Sequence, residues 1–191
     1  MFTIVIPTYT ANTALEDMAV KCAKSYRDYC DEMVICEDGK SFSQRLMDIA
    51  DTYIYNHKNL GFTGNVNRGW RYAAGDYVGI VNSDTYLVSG NPRDLCIPNK
   101  VTSPIVENQL IANLAGPFWV TSKSITEKIG YLIEGMKTYY SDTEYDNRVA
   151  KYFQKVPQVI VRHHGAQSVT VAGVEDKMEE DKKVYDSLPK R

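Results

Sequence analysis

Tyr77-Val-Gly-Ile-Val-Asn-Ser-Asp84 is an apolar run that passes without a turn into a polar triplet ending in a carboxylate. A short apolar run with polar flanks fits a buried strand, and the triplet then stands at that strand's carboxyl end. Upstream, Gly61 to Ala74 reads as a glycine-rich turn leading into a helix that turns Val66, Trp70 and Ala73 inward, with Gly75 as its expected stop. Toward the N-terminus the unit repeats. Tyr53-Ile-Tyr55 is a strand, Ser43 to Ala50 a short helix, and Met33-Val-Ile-Cys36 a strand followed at once by Glu37-Asp38-Gly39. Phe2-Thr-Ile-Val-Ile-Pro7 opens the series. After it, Thr13-Ala-Leu-Glu16 has the form of a capping box, and Leu15, Met18, Ala19, Cys22, Ala23 and Tyr26 recur at helical spacing. This alternation predicts an α/β fold, a mostly parallel sheet flanked by helices in a single domain. In such sheets ligands bind beyond the carboxyl ends of the strands. Thr8-Tyr9, Glu37-Asp38 and Asn82 to Thr85 fall at those ends.

The second half is less regular. Leu87 to Asn99, with two prolines and a glycine, reads as loop, and Val101 to Val106 and Phe118 to Thr121 read as strands. Ser124-Ile-Thr-Glu127 is a second capping box, for a short helix ending at Gly130. Ser141-Asp-Thr-Glu144 is a third, for a helix with Tyr145, Val149, Tyr152 and Phe153 on one side. Val159-Ile-Val161 reads as a final strand with His163-His-Gly165 just past it. Residues 1–174 then form the domain, and 175–191 a charged C-terminal helix with Met178, Tyr185 and Leu188 on one stripe. That helix is expected to be solvated, or to serve as a docking or dimer element.

With 191 residues, 43% apolar and 24% charged, the chain has the proportions of a soluble globular protein rather than a disordered or fibrous one. Its formal charge of −2 argues against general binding to nucleic acid or acidic membranes. No run approaches the roughly 20 apolar residues of a membrane span, and the first strand begins too early to leave room for a signal peptide. Cys22, Cys30, Cys36 and Cys96 lack metal-ligand spacing and read as reduced cysteines of a cytoplasmic protein.

Three signals that an α/β layout allows are missing: the G-x-G-x-x-G dinucleotide turn, the G-x-x-x-x-G-K-[ST] phosphate loop and the G-x-S-x-G nucleophile elbow. What is present is Asn82-Ser83-Asp84 at a strand end. A carboxylate there can hold a hard divalent cation against a diphosphate, although a solvated turn would carry the same triplet.

Several segments in order resemble the family 2 glycosyltransferases of GT-A (Rossmann-like) fold. Phe2-Thr-Ile-Val-Ile-Pro-Thr-Tyr9 resembles their first strand, and Val34-Ile-Cys-Glu-Asp-Gly-Lys40 their second, with Glu37 where aspartate is usual. Asn59-Leu-Gly-Phe-Thr-Gly-Asn-Val-Asn-Arg-Gly69 resembles the N-x-G-F-x-G-x-x-N-x-G segment. Ala74-Gly-Asp-Tyr-Val-Gly-Ile-Val-Asn-Ser-Asp-Thr85 resembles the strand entering the D-x-D motif, in an asparagine-first form. Gly116-Pro-Phe-Trp-Val-Thr121 resembles the acceptor-side glycine strand. Tyr139-Tyr-Ser-Asp-Thr-Glu-Tyr-Asp-Asn-Arg148 resembles the Y-x-E-D-x-D-x-x-x-R segment, and Val161-Arg-His-His-Gly-Ala-Gln-Ser168 the H-x-x-G-x-S-like ending.

The resemblance implies a nucleotide-sugar half over about residues 1–86 and an acceptor half over about 100–168. Pro7, Thr8 and Tyr9 would border the nucleotide base, and Asp38, with or without Glu37, would accept a hydrogen bond from base or ribose. Gly61 and Gly64 would let backbone approach the nucleotide; Asn67 and Arg68 would contact the donor. Asn82, Ser83 and Asp84 would face the diphosphate. Asp84 would be the main ligand of a Mn²⁺ or Mg²⁺ ion, helped by His163 or His164. Asp142, in the first turn of its helix where the dipole favours an ionised carboxylate, would be the catalytic base of an inverting transfer. Gly116, Trp119, Glu144 and Arg148 would line the acceptor side, with Glu144 and Arg148 also able simply to pair at i, i+4. The implied partners are a nucleotide-diphosphate sugar and a glycan or other hydroxyl-bearing acceptor. A catalytically weak sugar-nucleotide or glycan binding module on the same fold is the alternative. A sugar-nucleotide pyrophosphorylase is disfavoured by the lack of a G-x-G-T-R-like opening.

Overall fold

β1 (Phe2–Thr8) is buried along its whole length, which is why its sequence is apolar apart from Thr3 and Thr8, whose hydroxyls find partners in Glu32 and Glu37. Side chains alternate across it: Ile4 and Ile6 enter one core with Met33 and Ile35, and Val5 enters another with Val34 and Cys36. α1 (Thr13–Tyr26) covers the first face with Ala19, Cys22, Ala23 and Tyr26, and α3 (Gly61–Tyr72) covers the second with Val66 and Trp70. The computed structural model describes residues 1–39, 42–107, 109, 113–114, 116–165 and 177–189.

β1, β2 (Glu32–Glu37), β3 (Thr52–Tyr55) and β4 (Tyr77–Val81) are parallel neighbours in the order β3-β2-β1-β4. The sheet continues through β7 (Phe118–Ser122), β6 (Val101–Val106), β8 (Phe153–His163) and β5 (Thr85–Ser89) to eight strands. β7 is antiparallel to both β4 and β6, β6 is parallel to β8, and β5 is antiparallel to β8, so six strands run one way, as a mostly parallel sheet requires, and β7 and β5 run against them. Two of these reversals bring second-half residues to the carboxyl edge of β4. β7 begins there, where Phe118 pairs with Val81. The end of β8 meets the start of β5, where His163 pairs with Thr85.

Several local expectations shift. Leu87 to Asn99 is not all loop: β5 reaches Ser89, and Pro92–Leu95 forms a 3₁₀ turn capped by Asn91. β8 starts well before Val159 and includes His163. α1 is capped by Asn12, whose side chain accepts from Leu15 N at 3.0 Å, so Thr13 lies inside the helix. Ser124 lies inside α4 (Lys123–Ile129), which ends at Gly130 with φ 85°. α5 (Ser141–Val149) starts from Tyr140 at φ 63° with no side-chain cap, and the Ser141 hydroxyl is buried without a partner. α2 (Gln44–Met47) is capped by Ser43. α3 ends before Gly75, whose missing Cβ instead makes room for Thr3 of β1.

The charged segment at the C-terminus forms α6 (Lys177–Ser187), with Asp181 buried against the rest of the chain rather than solvated all round. Residues 175 and 176, and Lys40 and Ser168 of the quoted motifs, lie outside the described residues. Among the described residues no helix is long and apolar enough to cross a membrane.

Candidate active site

The ends of β1, β2 and β3 are tied by polar side chains, because backbone and side-chain groups brought together in a buried position must find partners. Glu37 is fully buried. Its carboxylate accepts from the Thr8 hydroxyl at 2.6 Å, from Thr10 N at 2.9 Å and from Gly39 N. Its observed role is to knit the two strand ends, and Thr8 is spent in the same contact. Asp38, nearly as buried, accepts from Asn56 Nδ2 and from Leu60 N, each at 2.8 Å. Burial pushes its carboxyl up to about 6 against the pull of those hydrogen bonds. Asn56 also donates to Asn65 Oδ1 at 2.9 Å, and Asn65 donates to the carbonyls of Cys36 and Thr8. Asn56 and Asn65 were not anticipated. Asn65 does sit inside the quoted glycine-rich segment, whereas nothing in the sequence around Asn56 marks it. Pro7 is buried within β1 beside Cys36, and Tyr9 is half-buried just past the strand end.

α3 carries four expected donor residues, and three have other occupations. Gly61 has φ 73°, and a Cβ there would stand 2.8 Å from the Lys137 carbonyl. Gly64 packs against Leu60 in the same way. Asn67 is fully buried: it donates to the Leu132 carbonyl at 2.8 Å and to Glu134 at 3.0 Å, and accepts from Leu132 N at 3.1 Å. It fastens the 132–134 segment to α3, leaving no capacity for a donor. Arg68 is half-buried on the same helix, its charge acting on the Cys36 thiol.

At the end of β4 the triplet turns sharply. Thr85 N donates to the Asn82 carbonyl at 3.0 Å, so Ser83 and Asp84 are held under the turn, both buried. Asp84 Oδ1 lies 3.2 Å from His163 Nε2, and His164 N donates to the Asp84 carbonyl at 3.1 Å. The two histidines thus separate. His163 meets the carboxylate, while the His164 ring packs edge-on against Tyr86 at 5.0 Å. Asn82 Oδ1 is buried with no hydrogen-bond partner. Among the described residues no group of three or more His, Cys, Asp and Glu gathers as a metal cluster. The donor set available to a hard cation is therefore the Asp84–His163 pair with the orphaned Asn82 amide oxygen on the same turn, a chemistry that suits Mn²⁺ or Mg²⁺.

The second carboxylate reaches this edge through β7. Asn82 N donates to the Pro117 carbonyl at 2.9 Å. The preceding residue, Gly116, lies directly beneath Asp142, whose Oδ2 occupies the space a Cβ would take. Asp142 is half-buried in the first turn of α5, with Oδ1 accepting from Thr143 N at 2.8 Å. Trp119 is fully buried, paired with Ile80 across the ladder and packed near Tyr145, so its ring belongs to the core and presents no face to a sugar. Glu144 and Arg148 pair through two 2.8 Å contacts at Nε, and the remaining Arg148 donors reach the carbonyls of Ile129 and Tyr131 at 2.7 Å. The pair ties α5 to the turn after α4. A cavity of about 550 Å³ lined by Trp70, Arg71, Gly75, Val78, Lys123 and Tyr131 lies at the other end of β4 and takes no part in this arrangement.

Comparison with known proteins places this geometry. Residues 3–95 match the family model described as Glycosyl transferase family 2. No curated protein sequence matches the chain. Among solved structures, residues 1–349 of S. aureus TarS in complex with UDP superpose with a TM-score of 0.63 at 14% identity, covering 84% of this chain and 60% of that one. The TarS fragment with UDP-GlcNAc gives 0.58 at 15% identity over 94% of this chain and 64% of that one. The mannosyltransferase PcManGT from Pyrobaculum calidifontis, in complex with GDP-Man and Mn²⁺, gives 0.64 at 15% identity over 100% of this chain and 65% of that one. The chain thus spans less than two thirds of the length of each of these three structures. These structures share this chain's fold, GT-A, and the match to glycosyl transferase family 2 covers residues 3–95, just under half of the chain.

Proposed function

We propose that this chain transfers a sugar from a nucleotide-diphosphate sugar to an acceptor hydroxyl with inversion at the anomeric carbon. One observation carries the reading. The Asp84–His163 pair and the Asn82 amide sit at the same sheet edge as Asp142, joined through Gly116-Pro117. UDP, UDP-GlcNAc and GDP-Man bound to proteins of the same fold support a nucleotide-sugar donor.

In this mechanism the Asp142 carboxylate takes the proton of the acceptor hydroxyl. That oxygen bonds to the anomeric carbon as the bond from carbon to the diphosphate oxygen breaks on the opposite side. Asp142 stands in the first turn of α5, half-buried, where an acceptor hydroxyl would reach it. Holding the hydroxyl against the anomeric carbon supplies a large share of the acceleration. Asp84 and His163, with the Asn82 amide oxygen, would hold Mn²⁺ or Mg²⁺; such a cation neutralises charge building on the departing diphosphate. Pro7, Tyr9, Asp38, Arg68 and Ser83 border the donor in this reading. Gly116 floors the acceptor side. The reaction belongs in the cytoplasm, where free Cys22, Cys30, Cys36 and Cys96 stay reduced.

A panel of UDP-, GDP- and dTDP-sugars tests the proposal by thermal shift and by release of nucleoside diphosphate, with Mn²⁺, with Mg²⁺ and with excess chelator. A ligand bound only to the folded state stabilises it, by about 2.7 kcal/mol at a hundred times its Kd. The expected result is a cation-dependent shift with at least one donor, and diphosphate release. A shift without release would favour the binding module, and turnover undiminished in chelator would remove the cation.

A further inference from the structure

The C-terminal helix ends one continuous set of contacts that begins at the donor side. Asp181 of α6 is buried, and its carboxylate accepts from three consecutive backbone amides: Lys137 N at 2.9 Å to Oδ1, and Thr138 N and Tyr139 N at 2.8 Å to Oδ2. The same loop is gripped from the other side by α3, where Thr63 N donates to the Lys137 carbonyl at 3.1 Å and Gly61 packs on it. The next residue, Tyr140, takes a left-handed backbone at φ 63° and launches α5. Its ring stacks on Tyr185 of α6 at 5.4 Å, and the Tyr185 hydroxyl accepts from Asn147 Nδ2 at 3.0 Å. α5 has no side-chain N-cap of its own. The direction of its first turn, which carries Asp142, is therefore set by the loop before it, and that loop's backbone is fixed by Asp181.

We infer that α6 is a strut for catalysis, with Asp181 a positioning residue that aims Asp142, a role that rests on the transferase function proposed for this chain. Packing alone does not call for a carboxylate here, since an apolar residue would fill the space. Three consecutive amides call for acceptor oxygens, which a carboxyl supplies and an apolar residue does not, and a buried group so bound holds the backbone in one arrangement.

The test is Asp181→Asn in the full chain. Asparagine can offer one acceptor oxygen but turns an N–H₂ toward the remaining amides. Hydrogen exchange is expected to speed up at residues 137–139 and in the first turn of α5, where Glu144 N donates to the Tyr140 carbonyl, while the β1–β4 amides keep their protection. With the donor selected by the panel, kcat is expected to fall about tenfold or more, because an ångström of misplacement can cost up to about a hundredfold. Affinity for the matching nucleoside diphosphate should change less than about threefold. In an Asp142→Asn background Asp181→Asn should add almost nothing, since coupled residues are non-additive. Unchanged exchange in α5, wild-type kcat in the folded variant, or a full additional loss in the Asp142→Asn background would each overturn the strut. If Asp181→Asn does not fold, Tyr185→Leu removes the other α6 contact to the same turn and should lower kcat about threefold; wild-type kcat there counts against the strut. The two failures separate. A fast Asp142→Asn strikes the base itself, and a slow Asp142→Asn with a fast Asp181→Asn strikes only the strut.

Discussion

Glu37 and Asp38 are adjacent and both buried, yet their carboxylates face different partners. Glu37 is enclosed by the Thr8 hydroxyl and two backbone amides, whereas Asp38 meets one amide and the Asn56 side chain while burial pushes its carboxyl up to about 6. A carboxyl whose pKa is higher folded than unfolded binds more protons in the folded state, so its contribution falls as pH rises between the two values. For Asp38 that window runs from about pH 4 to about 6, and above it the ionised group costs on the order of 2–3 kcal/mol. Urea midpoints at pH 4 and pH 7 should therefore show a smaller alkaline loss in Asp38→Asn than in the wild type; parallel losses would show that Asp38 titrates normally. As the proposed base, Asp142 is tested by rate rather than stability. Asp142→Asn should lower turnover by about 10²-fold or more with donor affinity nearly unchanged, and steady-state rates with a direct binding titration check both halves. The sequence pointed to Asp84, Asp142 and the histidine pair through their place in a resembling pattern, and the geometry selects His163 as the partner of Asp84. It could not separate a binding residue from a buried fastener. Asn67 looks the same in sequence whether it faces a nucleotide or the Leu132 backbone, and Trp119 the same whether it meets a sugar or Tyr145.

Helices and strands were legible where periodicity carries them. β1 to β4 and α1 and α3 stand where their apolar spacing put them, because each has one face or both in the core. Their ends were less so. Each S/T-x-x-E motif is displaced by a residue or two from the cap, because Asn12, Ser122 and Tyr140 hold the extended or left-handed backbone that the cap position needs. The difference can be measured. Asn12→Ala should destabilise the fold by about 1 kcal/mol by removing the bond to Leu15 N, and Thr13→Ala should change it by less than about 0.5 kcal/mol. Denaturant midpoints for the two variants decide between the caps, and the reverse order would restore Thr13. β5 was hidden for a related reason. It is a short edge strand held by β8 alone, with Gly90 and Pro92 immediately after it, so punctuation outweighs its apolar content.

For the molecule as a whole, the alternation of strand and helix was enough to predict an α/β sheet flanked by helices. The direction of each single strand was not, since an apolar run reads alike both ways, and nothing in Phe118 to Ser122 marks that β7 runs against β4. The docking of α6 was equally invisible, because a helix rich in charge reads as solvated and Asp181 finds its partners in backbone amides, which have no signature in sequence. The reversed β7 has a mechanical result. Tyr77 to Val81 is laced residue for residue to Ser122 through Phe118, so the portion that would grip the nucleotide and the portion that would receive the sugar are one woven fabric. There is no hinge line along which they could part like jaws without tearing that seam. Whatever binds at this edge must come and go past the turns rimming the sheet, and any gating has to be sought there.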